Sequence, residues 1–93
     1  MGKTHVRRQE VRSVVIHAAG RDYTLSAEEC RIILFVVAGY TNRDIARQFS
    51  LDTSTISRRA ARLFAKLGVA NKLELVLFVL HHGIMGDFLD DRG

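Results

Sequence analysis

Between Thr53 and Leu67 the chain carries Arg58, Arg59, Arg62 and Lys66, and no aspartate or glutamate. A merely solvated helix face mixes signs, so this one-sign segment suits a polyanion. Each side chain brings its own chemistry. An arginine can donate two parallel hydrogen bonds to O6 and N7 of guanine, and an alanine methyl can meet the methyl of thymine. Cations and hydroxyls on phosphates position a protein without reading sequence. At about 100° per helical residue, Ile56, Ala60, Leu63 and Leu67 form one apolar stripe. Ser54, Arg58, Ala61, Arg62 and Ala65 take the opposite side, with Thr55, Arg59 and Lys66 on one flank and Ser57 on the other. Arg58 and Ser57 are the candidate base readers, and small Ala61 and Ala65 allow close approach. Thr55, Arg59, Arg62 and Lys66 are candidates for phosphates. The alternative is an exposed polar face with no ligand.

The elements that would hold this face are marked by caps and glycines, because the chain has no proline. Ser26 and Glu29 make a capping box, with Leu25 and Cys30 where a hydrophobic staple packs. That helix ends at Gly39. Thr41 and Asp44 repeat the grammar and predict a second helix over about 42–49. Asp52 caps a third, with Leu51 stapled to Ile56, and Gly68 ends it. Only Ser50, Leu51 and Asp52 join helices two and three, so the two must cross steeply, as in a helix-turn-helix. Asn71, with Glu74 three residues on, predicts a fourth helix over 71–83.

Length and composition exclude much else. Ninety-three residues, 47% hydrophobic and 26% charged, make one small globular domain. No apolar run approaches the roughly 18 residues that span a bilayer, and the N-terminal region lacks the apolar core of a secretory signal. The expected location is the cytoplasm, with the nucleoid, and no membrane partner. The net charge of +4 is uneven. Residues 41–72 hold seven basic groups against Asp44 and Asp52, while residues 73–93 hold Arg92 against four acids. Cys30 is the single cysteine, which excludes an internal disulfide and a multi-thiolate zinc site. Its staple position argues for a small core hydrophobe over a reactive thiol. Neighbouring His81 and His82 point about 100° apart and do not easily share one ion. No arrangement for nucleophilic or acid–base catalysis and no phosphate-binding glycine loop is present. The expectation is a protein that is not an enzyme, with no cofactor and no bound metal.

Residues 25–84 resemble the LuxR-type (GerE or FixJ-like) helix-turn-helix domain of bacterial transcription regulators. The resemblance rests on Leu25-Ser26, Glu29, Gly39, Asn42-Arg43-Asp44-Ile45-Ala46, Thr55-Ile56, Lys66-Leu67-Gly68-Val69, Glu74-Leu75-Val76 and Gly83-Ile84. It implies an all-α fold of four helices, the third in the major groove and the fourth often dimerising. The base-reading positions it implies fall on Ser57, Arg58 and Ala61. The phosphate-contacting positions fall on Arg43, Thr55, Lys66 and Lys72. The family often has lysine at Ser57 and histidine at Arg59, so base reading shifts here towards Arg58.

From Leu73 to Leu80 only Glu74 is polar. With Leu73, Val76, Leu77, Leu80 and Gly83 facing the core, Leu75, Phe78, His82 and Met85 would face outward. That predicts a homodimer through Leu75, Phe78 and His82, unless residues 1–24 or 86–93 cover Phe78 within one chain. Val11 to Ile16 and Arg21 to Leu25 flank Ala18-Ala19-Gly20 and could form a small hairpin. Arg7 and Arg8 could be a minor-groove arm or a solvated tail. The domain organisation read this way is an N-terminal extension over 1–24, the helix-turn-helix domain over 25–85 and an acidic tail over 86–93. The 24 residues before the motif fit either a stand-alone regulator or a piece of a larger one. The function expected is a sequence-specific regulator binding double-stranded DNA as a dimer. The alternative is an interaction module on the same fold, docking RNA polymerase, a sigma-like factor or another regulator.

Overall fold

Ala19 and Gly20 turn the chain back on itself, both with positive φ, at 55° and 74°. Such a pair matches the twist of two antiparallel strands. In the computed structural model, which describes residues 13–82, these strands are β1 (Ser13–Ala18) and β2 (Arg21–Ser26). Ala18 pairs with Arg21 and Ser13 with Ser26. Four helices follow: α1 (Ala27–Val37), α2 (Asn42–Phe49), α3 (Thr53–Leu67) and α4 (Lys72–His82). The architecture is the four-helix bundle expected, with the hairpin laid on it. Met85, Arg7, Arg8, the Gly83-Ile84 pair and the acidic tail lie outside the described residues.

The hairpin is part of the core. Ile16, Ala18, Tyr23 and Leu25 are buried in the same cluster as Cys30, Ile32, Ile33, Ile45, Ile56, Leu63, Leu75 and Val79. They alternate with exposed residues, as a strand with one covered face must. The expected boundary between residues 24 and 25 therefore falls inside β2, and the domain includes the hairpin. The hairpin forms, with a turn shorter than Ala18-Ala19-Gly20, since Ala18 pairs with Arg21 and only Ala19 and Gly20 stand in the loop.

The caps form as the sequence predicts. Ser26 Oγ accepts from the Glu29 N–H at 3.0 Å, and Glu29 Oε1 accepts from the Ser26 N–H at 2.8 Å. Thr41 and Asp44 make the same reciprocal pair, both bonds at 3.1 Å. Asp52 accepts from the Thr55 N–H at 3.0 Å. At α4, Asn71 accepts from the Glu74 N–H at 2.9 Å, and Glu74 reaches back one residue further, to the Ala70 N–H at 2.8 Å. Ser50 takes the left-handed conformation between α2 and α3, at φ 57°. That residue makes the sharp turn and lets α2 pack closely on α3.

The α4 assignment is reversed. Leu75 and Val79 are fully buried, while Leu73, Leu77 and Leu80 are 68%, 55% and 62% exposed. The set expected inside is largely outside. Tyr23 of β2 meets Phe78 edge-on at 6.0 Å between ring centroids. The hairpin and α1 thus cover the side of α4 that carries Leu75, Phe78 and Val79. A helix apolar on all sides has no period to choose its buried face; its neighbours choose.

Candidate nucleic-acid interface

The core stripe of α3 is as expected, with Ile56, Ala60, Leu63 and Leu67 all buried. Ser54, Ser57, Arg58, Ala61, Arg62 and Ala65 are exposed. The helix therefore presents two arginines, two serines and two alanines on one outer surface. Leu67 ends it, and Gly68, at φ 76°, donates its N–H to the carbonyls of Ala65 and Phe64. The pose of α3 is set from beneath by α2. Phe35 of α1, Tyr40 between α1 and α2, and Phe49 of α2 pack together, with centroids 4.8 Å and 6.0 Å from Phe35. The Arg31 guanidinium lies 4.5 Å over the Phe49 ring.

The expected contact residues fall into two sets. Arg43 on α2 and Arg58 and Arg62 on α3 are exposed. Lys72, at the start of α4, and Thr55, in the first turn of α3, are half-buried. Ser57 is exposed, and its hydroxyl accepts from Asn42 Nδ2 at 3.2 Å. That bond ties the candidate reading face to the first turn of α2.

Arg59 and Lys66 are already occupied. Arg59 Nη1 is paired with the Glu28 carboxylate. Lys66 Nζ donates to both oxygens of Glu29, at 2.9 and 3.1 Å, and to the Thr24 carbonyl at 3.0 Å. An ammonium has three N–H donors, so Lys66 is saturated inside the domain. The Glu29 side chain is only 22% exposed. Burial alone would push its carboxyl up, but hydrogen bonds from Ser26 and Lys66, with the Lys66 charge, hold it below its ordinary value. Reading α3 by itself overlooks Glu28 and Glu29. The available signal is the pair of acids in the first turn of α1.

Cys30 is buried, and its thiol is pushed up to about 11 by burial and by the Glu29 charge. It packs as a hydrophobe. Leu75 is buried, and Phe78 is half-buried against the core and the Tyr23 ring, so neither stands on the open side of α4 as expected. His82 stacks beside Phe78 at 4.8 Å between centroids.

A comparison with protein families matches residues 23–79 to the description "Bacterial regulatory proteins, luxR family". The chain belongs to that family. Among similar proteins, the Fimbriae Z protein of Salmonella typhimurium is 33% identical over 64 residues, covering 69% of this chain and 30% of that protein. Response regulator Rre1 of Synechocystis is 34% identical over 56 residues, covering 60% and 24%. Response regulator UvrY of Escherichia coli is 30% identical over 61 residues, covering 66% and 28%. The chain thus spans less than a third of the length of these relatives. The luxR family is one of DNA-binding transcription regulators, and this chain has its helix-turn-helix fold, with a two-stranded hairpin ahead of the four helices. No helix among the described residues is long and apolar enough to cross a membrane.

Proposed function

We propose that this chain binds double-stranded DNA sequence-specifically and regulates transcription, with α3 in the major groove and two copies joined through α4. The observation that carries the reading is the outer face of α3. It combines exposed Arg58 and Arg62 with small Ala61 and Ala65, on a helix without an acidic side chain. Arg58 reads guanine, Ser57 adds a bond to a base, and Ala61 gives the backbone close approach. Arg43, Arg62, Thr55 and Lys72 meet phosphates.

The second copy is assigned to the exposed leucines of α4. Leu73, Leu77 and Leu80 fall on one face. A two-fold axis through Leu77 sets Leu73 of one copy near Leu80 of the other, which is the self-matching arrangement an isologous dimer needs. The test is titration of a labelled duplex at several salt concentrations. Log affinity should fall against log salt by about 0.9 per phosphate neutralised. An interaction module without DNA specificity would bind weakly and prefer no sequence.

A further inference from the structure

The two acidic residues in the first turn of α1 face the same flank of α3. Glu28 pairs with Arg59 and Glu29 with Lys66. Glu28, Glu29 and Arg59, with Ser26, Ile32 and Arg62, line the shallow groove between the two helices. Arg59 and Lys66 are thereby paired, whereas Arg58 and Arg62, the latter at the rim of the same groove, have no ion-pair partner among the described residues. A cation that leaves a carboxylate to reach a phosphate exchanges one ion pair for another, and it strands the carboxylate. Lys66 would also give up the Thr24 carbonyl. A cation that starts in solvent gains the phosphate at no such loss. The counterion term, which is independent of sequence, therefore comes from the unpaired cations.

We propose that Glu28 and Glu29 are internal counter-charges that keep Arg59 and Lys66 off the phosphates, which holds down sequence-independent affinity and leaves discrimination to the outer face of α3. This rests on the DNA-binding reading above. Arg59 and Lys66 act as positioning residues: they lock α3 to α1 and do not touch the nucleic acid. A repulsive element of this kind raises specificity by weakening binding to every wrong sequence.

The experiment is the salt dependence of the full chain binding a random-sequence duplex, for wild type, Lys66→Gln, Arg62→Ala, Glu28→Gln and Glu29→Gln. Glutamine at 29 keeps the capping-box acceptor, so α1 retains its start. Arg62→Ala should flatten the log–log slope by about 0.9. Lys66→Gln should leave the slope as in wild type, with folding checked by circular dichroism. Glu28→Gln and Glu29→Gln should each steepen it by up to about 0.9 and tighten binding to the random duplex several-fold. A Lys66→Gln slope flattened like that of Arg62→Ala would overturn the proposal. So would unchanged slope and affinity in both glutamate variants, with folding checked in the same way. Absence of binding by the wild type at every salt concentration would instead overturn the DNA-binding reading itself.

Discussion

Tyr23 of β2 packs edge-on against Phe78 of α4, with ring centroids 6.0 Å apart. The contact makes the hairpin a wall of the bundle and turns Phe78 inward. Phe78→Ala should therefore cost about 2–3 kcal/mol of stability, from lost burial and a lost aromatic pair. Thermal or denaturant unfolding measures it. The association state should not move, because Phe78 faces the hairpin. A variant that melts like wild type but dissociates would return Phe78 to the dimer surface.

Leu75 and Leu77 of the same helix should behave differently from each other. Leu75→Ala should cost about 3 kcal/mol, since Leu75 is fully buried. Leu77→Gln should leave monomer stability within about 0.5 kcal/mol of wild type, yet weaken self-association. Sedimentation of both variants over a range of concentrations separates the two effects.

Helices α1 to α3 were legible because their signals are local. Ser26 with Glu29, Thr41 with Asp44, and Asp52 mark starts, and Gly68 marks a stop. The stripe through Ile56 and Leu63 fixes which side of α3 is inside. The candidate site was legible to the same depth, since an amphipathic helix declares its outer face. Two things were not. The facing of α4 is decided by Tyr23 and α1, which lie 35 or more residues away in sequence. The pairing of Lys66 with Glu29 spans 37 residues and is a tertiary contact. Neither leaves a periodic trace.

Specificity should separate from affinity at Arg58. Arg58→Ala should cost about 1–3 kcal/mol on the preferred site and relax its sequence preference. Arg62→Ala should weaken preferred and random duplexes alike. Equal losses for both variants on both duplexes would contradict the roles assigned here. Competition binding with the two duplexes reads this directly.

The hairpin turn has one position to improve. Ala19 sits at φ 55°, a region that L side chains other than Asn and Asp rarely adopt. Ala19→Gly should stabilise the domain by about 0.5–1 kcal/mol, because glycine takes this conformation without strain. A lower melting temperature would argue against a two-residue turn at Ala19-Gly20.

Acid should loosen the helix starts. Hydrogen bonds from Thr41 hold the Asp44 carboxyl below its ordinary value of 3.8, and bonds from Thr55 do the same for Asp52. Glu29 lies below its ordinary 4.5 through Ser26 and Lys66, against the effect of burial. A carboxylate with a depressed folded pKa adds stability above its unfolded pKa and loses it as pH falls through the folded one. These contributions should be intact at neutral pH and lost progressively as pH falls from about 4.5. Asp52→Asn keeps a good N-cap but no titrating charge, so its acid limb should be shallower. Unfolding at a series of pH values checks this.

The central claim is that α3 reads duplex sequence. Selection from a random double-stranded DNA pool by the full chain, followed by sequencing of the bound fraction at moderate salt, tests it most directly. An inverted repeat with half-sites about one helical turn apart should be enriched. Enrichment of a lone half-site would support α3 and count against pairing through Leu77. A bound pool with no enriched sequence at any salt concentration would contradict the claim.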